Sequence, residues 1–73
     1  MQYERIRNLR EDSDMTQQQI AEKLYITRRA YSNYETGERS IPIDILSKIA
    51  DIYGTSVDYL IGRTNVKNPY PKK

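Results

Sequence analysis

The chain is predicted to be all-α, built from five short helices, and three observations carry that prediction. Its three glycines (37, 54 and 62) and the proline at 42 fall where helices stop and start. Between them, apolar residues recur three and four positions apart, the spacing of a helix face. No stretch alternates apolar and polar residues as a half-buried strand does.

The first helix is expected over about residues 3–12, with Ile6 and Leu9 on one face. Thr16-Gln17-Gln18-Gln19 is a capping box: the Thr16 hydroxyl accepts from an otherwise unpaired backbone amide of the first turn, and Gln19 reaches back to the amide of the cap. A second helix then covers about 17–24, with Ile20, Ala21 and Leu24 inward. Thr27 is the next cap, opening a third helix over about 28–36 that ends at Gly37. Pro42, favoured in a first helical turn, opens a fourth that ends at Gly54. Its inward stripe is Leu46, Ile49, Ala50 and Tyr53, with Ile45 and Ile52 flanking it. Ser56 caps a fifth, short helix with Val57 and Leu60 inward, ending at Gly62. The chain has seven tyrosines and no Phe or Trp; Tyr31, Tyr34 and Tyr53 fall on inward faces and are expected in the core with their hydroxyls at its edge. Residues 1–62 thus form one domain, and 63–73, with two prolines and little apolar content, read as a basic, flexible tail.

Composition narrows the function classes. Seventy-three residues make one small domain. The absence of Cys and His removes disulfides and thiolate or imidazole metal sites, and also the usual general bases and nucleophiles, so neither an enzyme nor a metal or other cofactor is expected. No apolar run is long enough for a membrane span, and the charged start, Met1 to Arg10, does not resemble a secretory signal, so a soluble cytoplasmic protein is expected. A net charge of +2 is weak support for a nucleic-acid partner. The excess sits on the tail, in Arg63, Lys67, Lys72 and Lys73, while the body is balanced. Binding to a polyanion by the body would need a few placed arginines.

The third helix supplies them. At 100° per residue it gathers Ala30, Tyr31 and Tyr34 on one side and Arg28, Arg29, Ser32 and Asn33 on the other. That outer face has no carboxylate and carries planar or short hydrogen-bonding groups. Arg pairs bidentately with guanine O6 and N7, and Asn with adenine N6 and N7. Only Tyr25, Ile26 and Thr27 separate the second and third helices, the tight connection of a helix-turn-helix. The competing reading of the face is a solvated helix surface.

Residues 16–35, TQQQIAEKLYITRRAYSNYE, resemble the helix-turn-helix of the phage repressor/Cro, or XRE, family. The likeness extends over about 5–62. It takes in the Ile-x-x-Leu-Arg first helix, Thr-Gln opening the second and Ile-Ala-x-x-Leu within it. Ser32-Asn33-Tyr34-Glu35, then Gly37, Arg39 and Pro42, follow in order, as do Leu46, Ile49-Ala50 and Ser56-Val57-Asp58-Tyr59-Leu60. The resemblance implies a five-helix, lambda-repressor-like DNA-binding domain from a bacterium or phage. It also implies a sequence-specific transcriptional regulator, acting as a repressor on double-stranded DNA, with the third helix in the major groove. Two positions depart from the family pattern: Asp14 and Tyr25 stand in turns where the family usually has Gly. Asp tolerates a left-handed backbone fairly well, whereas Tyr does so at roughly 1–2 kcal/mol. A strained or altered turn is therefore expected at Tyr25, with its ring partly exposed and packed.

Carried over residue by residue, the resemblance makes Arg28, Arg29, Ser32 and Asn33 the base readers. Gln17, at the start of the second helix, is expected on a phosphate and also bracing Arg28; Thr27 is expected on a phosphate at the start of the third helix. Thr36, Gly37, Arg39 and Ser40 are expected to hold a second stretch of phosphates. Arg10 and Glu35 occupy positions that form a partly buried ion pair in several family members; the alternative is a pair of solvated surface charges. A homodimer is expected, because one recognition helix reads about four or five base pairs at ~1–3 kcal/mol each, too little to single out one genomic site. Ile41, Ile43, Ile45, Ile52, Tyr59 and Ile61 are the candidate dimer patch, unless they belong to a wide core stripe. The rival function is a protein-interaction module, such as an antitoxin or co-regulator, on the same fold. No small-molecule ligand is expected, since 73 residues leave no room for a second, ligand-binding domain.

Overall fold

Three of the helices start at a side chain that satisfies a free backbone amide, and helices stop where the backbone turns left-handed or the apolar spacing ends. In the computed structural model, which describes residues 4–67, the elements are α1 (Glu4–Asp12), α2 (Gln17–Lys23), α3 (Arg28–Thr36), α4 (Ile43–Tyr53) and α5 (Val57–Leu60). Thr16 accepts from the Gln19 amide at 3.1 Å, and Gln19 Oε1 accepts from the Thr16 amide at 2.9 Å, so both halves of the capping box form. Thr27 caps α3 through the Ala30 amide at 3.1 Å, and Ser56 caps α5 through the Tyr59 amide at 3.0 Å. α4 begins one residue later than expected, with Pro42 at the cap position and no side-chain cap bond. Gly37 and Gly54, both at positive φ, end α3 and α4; a side chain there would strain the turn.

α2 packs on α3, α4 on α5, and α1 against both α3 and α5. The core between them holds Ile6, Leu9, Ile20, Ala21, Leu24, Tyr31, Leu46, Ile49, Ala50 and Leu60. Ile41 and Ile45 belong to it too, each 8% exposed. These two therefore leave the expected dimer patch: the inward stripe of α4 is wider than its spacing suggested, and Ile41 turns inward just before the helix. The rest of the patch does not come together on α4 either. Ile43, 69% exposed, and Ile52 are nine residues apart, which places them on opposite sides of the helix. Ile52, Tyr59 and Ile61 are half-buried against the core.

The tyrosines also differ from expectation. The Tyr31 and Tyr53 hydroxyls are buried, not at the edge of the core, and among the described residues neither makes a hydrogen bond of ordinary geometry. Burial, above all, pushes the Tyr31 phenol far up and the Tyr53 phenol to about 12. Asp14 and Tyr25 do take left-handed conformations, at φ 56° and 58°. Tyr25 is not packed, however; at 89% exposure its ring stands in solvent with the Lys48 ammonium 5.8 Å from its centre.

After α5 the chain folds back on the body. Arg5 stacks over the Tyr59 ring at 4.3 Å and donates to the Tyr59 carbonyl at 3.0 Å, to Asn65 Oδ1 at 2.6 Å and to the Thr64 carbonyl. The Thr55 hydroxyl donates to the Lys67 carbonyl. The remainder of the expected tail, with Lys72 and Lys73, lies outside the described residues. No helix among those described is long and apolar enough to cross a membrane.

Candidate nucleic-acid interface

The angle between α2 and α3 is set by four residues. Leu24 closes α2 in right-handed geometry, Tyr25 turns the backbone left-handed, and the Ile26 amide returns to the Ala21 carbonyl at 3.0 Å. Thr27 then starts α3. This compact turn brings the start of α3 beside the start of α2, where Gln17, Gln18 and Arg28 line one open hollow with Arg10, Asp14, Met15 and Thr16.

On α3 the four expected base readers share one surface. Arg28, Arg29, Ser32 and Asn33 together line a shallow concavity, with both arginines exposed and the two shorter residues half-exposed. Neither arginine side chain has a hydrogen bond or an ion-pair partner among the described residues. The two ion pairs found there are Arg7–Glu11, along α1, and Arg10–Glu35. The face thus presents two free guanidinium groups, a hydroxyl and a carboxamide, with no competing carboxylate.

Behind it lies a polar network that ties three helices together. Arg10 on α1 donates to both carboxylate oxygens of Glu35 on α3, at 2.9 and 3.2 Å, and to the Met15 carbonyl at 2.9 Å. Gln17 on α2 donates its side-chain amide to the same carboxylate at 3.2 Å. Burial alone would raise the Glu35 carboxyl; the bonds from Arg10, its contact with the Tyr31 hydroxyl and the bond from Gln17 outweigh burial and hold it below the usual carboxylate range. Hydrogen bonding to Glu35 in turn raises the Arg10 guanidinium above its ordinary value. The only acid on α3 is therefore neutralised by its partners and turned away from the exposed face.

The remaining expected contacts divide. Thr27 is exposed, and because its oxygen accepts from Ala30 its hydroxyl proton stays free for an incoming acceptor. Gln17 does not bond to Arg28; its side-chain amide is committed to Glu35. Thr36 points its hydroxyl at the Asn33 carbonyl at 3.4 Å. Gly37 has only its amide to offer, and that amide closes α3 on the Tyr34 carbonyl at 3.2 Å, so its part is the turn. Arg39 and Ser40 are exposed. Sequence reasoning missed one feature: Tyr34, assigned to the core, is half-buried and also walls a second cleft beside α3 with Arg29 and Arg39. Its neighbours 29 and 39 straddle the helix end, and periodicity within one helix does not report on a loop that folds beside it.

A helix-turn-helix family profile matches residues 6–60. The uncharacterized HTH-type transcriptional regulator YobD of Bacillus subtilis is 38% identical over 69 residues, covering 94% of this chain and 62% of that protein. The HTH-type transcriptional regulator ImmR of the same organism is 39% identical over 62 residues, 85% of this chain and 49% of that protein. The cryptic phage CTXphi transcriptional repressor RstR of Vibrio cholerae is 40% identical over 60 residues, 82% of this chain and 54% of that protein. The chain thus spans about half to three-fifths of the length of these curated relatives. No solved structure matches it significantly. On the matched residues and their arrangement, the chain belongs to the helix-turn-helix family of the phage repressor/Cro, or XRE, type.

Proposed function

We propose that the protein is a sequence-specific double-stranded DNA-binding regulator that inserts α3 into the major groove. The exposed, carboxylate-free face of Arg28, Arg29, Ser32 and Asn33 is the observation that carries this reading. Its groups match the donor and acceptor patterns of guanine and adenine edges. A protein interface core, by contrast, is depleted of charge, and two free guanidinium groups side by side fit poorly there. Thr27, the α2 start, Arg39 and Ser40 surround the face and hold phosphates, fixing the register from which bases are read.

Repression is the simpler mode of action. Occupying the groove is enough to exclude other proteins, whereas activation needs an added contact. The relatives include proteins named as a repressor, RstR, and as an activator, BcrR of Enterococcus faecalis. The site is an inverted repeat bound by a homodimer, because one α3 supplies too few base contacts for a single half-site to stand out. With relatives from bacteria and a bacterial phage, the bacterial cytoplasm is the place of action.

Selection of binders from a random duplex library tests the reading. The expected result is an enriched inverted repeat whose guanine and adenine preferences relax in Arg28→Ala and Asn33→Ala. Sedimentation should show two copies of the chain per duplex. No enriched site, with only weak salt-sensitive binding, would overturn sequence-specific recognition and put a protein-interaction role in its place.

A further inference from the structure

One flank of α3, the side next to the 37–40 loop, holds a second concavity of about 300 Å³. Thr27, Arg29, Ala30, Asn33, Tyr34 and Arg39 line it. Two cations face it and no carboxylate does; Glu38, exposed in the same loop, is not part of its wall. Neither Arg29 nor Arg39 has an ion-pair partner among the described residues. The root of Arg39 is fixed, because its backbone amide donates to the Asn33 carbonyl at 3.2 Å. Thr27 adds a free hydroxyl proton at one end, and Ala30 with the half-buried Tyr34 ring supplies an apolar wall.

Arg29 and Asn33, one turn apart, form the ridge between this cleft and the concavity of the exposed face, whereas Arg28 and Ser32 line the latter alone. A helix with its side chains, about 10–12 Å across, nearly fills a major groove about 12 Å wide. Side chains on its flank therefore meet the phosphodiester wall, and those on its leading edge meet the bases. Two guanidinium groups, a hydroxyl donor and an apolar wall are the complement of a phosphate with its deoxyribose.

We propose that this cleft grips a single backbone phosphodiester, with Arg29 and Arg39 as its two jaws. Arg29 then positions α3, and base reading falls to Arg28, Ser32 and Asn33. The proposal rests on the duplex-binding reading above.

The test uses the duplex recovered by selection, with its phosphates replaced one at a time by uncharged methylphosphonates. Wild type should lose roughly ten- to a hundred-fold in affinity at one position per half-site, the range of a charged hydrogen bond. In Arg29→Ala and in Arg39→Ala the same replacement should cost less than threefold, because the contact is already gone. Arg29→Ala should weaken all base variants of the site alike, and Arg29→Lys should restore much of the affinity. Both residues are exposed, so neither variant threatens the fold. A full methylphosphonate penalty in Arg29→Ala, or relaxed preference at one base pair, would overturn the proposal while leaving duplex binding intact. Failure of wild type to bind any duplex would instead remove the functional reading itself, and this proposal with it.

Discussion

Replacing Glu35 with Ala strikes the network that joins α1, α2 and α3. The Glu35 side chain is 5% exposed and accepts three hydrogen bonds, two from Arg10 and one from Gln17. Its loss leaves Arg10, 14% exposed, with the Met15 carbonyl as its one remaining partner. Breaking one side of a buried pair costs about 3–5 kcal/mol. Arg10 keeps some access to water, which favours the lower end, about 3 kcal/mol. A domain of this size has a total stability of about 4–11 kcal/mol, and each kcal/mol moves its melting temperature by about 4–8 °C. Glu35→Ala should therefore melt about 12–24 °C below wild type in a circular dichroism scan. Arg10→Met combined with Glu35→Leu, which removes both charges and refills the space, should recover most of that loss. Acid should act on the same group. The Glu35 carboxyl is held below its ordinary value, so its stabilisation is complete above the unfolded pKa of about 4.3 and is lost as pH falls through the lower folded value. Glu35→Gln should flatten that acid limb. A melting shift under about 4 °C for Glu35→Ala would refute the network's structural role.

Two smaller perturbations test the turns. Tyr25→Gly removes a left-handed strain of about 1–2 kcal/mol, against about 0.5–1 kcal/mol of added backbone entropy and a cation–π contact to Lys48 of about 0.5 kcal/mol. The balance is a small gain, about 0.25 kcal/mol at the middle of these ranges and about 1 kcal/mol at most, in urea unfolding, and a loss above about 0.5 kcal/mol would mean the Tyr25 ring stabilises the fold. Thr16→Ala takes away the α2 cap and should cost about 1 kcal/mol; an unchanged denaturation midpoint would show that the capping box is not holding α2.

Much of the fold was legible because this chain marks its helix ends locally. Thr16, Thr27 and Ser56 each cap the helix that follows them, and Gly37 and Gly54 end the helices expected to stop there. The shared face of Arg28, Arg29, Ser32 and Asn33 followed from helical spacing alone. What was not legible depends on packing between elements. Ile45 read as a flanking residue because spacing within α4 does not say how deeply a neighbour covers each side, and Ile41 lies before the helix, where no helical spacing applies. The same holds for Tyr25, where sequence shows an unusual turn residue but not that its ring stays in solvent with only Lys48 near its face. The Gln17–Glu35 bond joins residues on different helices, and no local pattern announces it.

The sparse charge of this surface has a consequence for how binding responds to salt. Of the basic residues in the body, Arg5, Arg7 and Arg10 bond to other parts of the protein, Lys48 lies over Tyr25, Lys23 ends α2 away from the linings of both concavities, and Arg28 is on the reading face itself. Glu35 is paired and buried, so it neither repels phosphate nor has to be compensated when DNA approaches. The proposed phosphate jaws, Arg29 and Arg39, are the cations left beside the reading face, about two phosphate charges neutralised per protomer. At about −0.9 per phosphate, the log–log dependence of affinity on salt should be near −2 per protomer and near −4 for a dimer. So shallow a dependence implies weak non-specific binding, which lets a modest number of base contacts separate the correct site from its competitors. Lys67, Lys72 and Lys73 offer the charge for a different outcome. Replacing all three with Gln should leave the slope unchanged if binding is confined to the helix-turn-helix and its loop. A wild-type slope steeper than about −7 that falls toward −4 in the triple variant would instead place the C-terminal lysines on the duplex and refute the account of specificity through a lightly charged body.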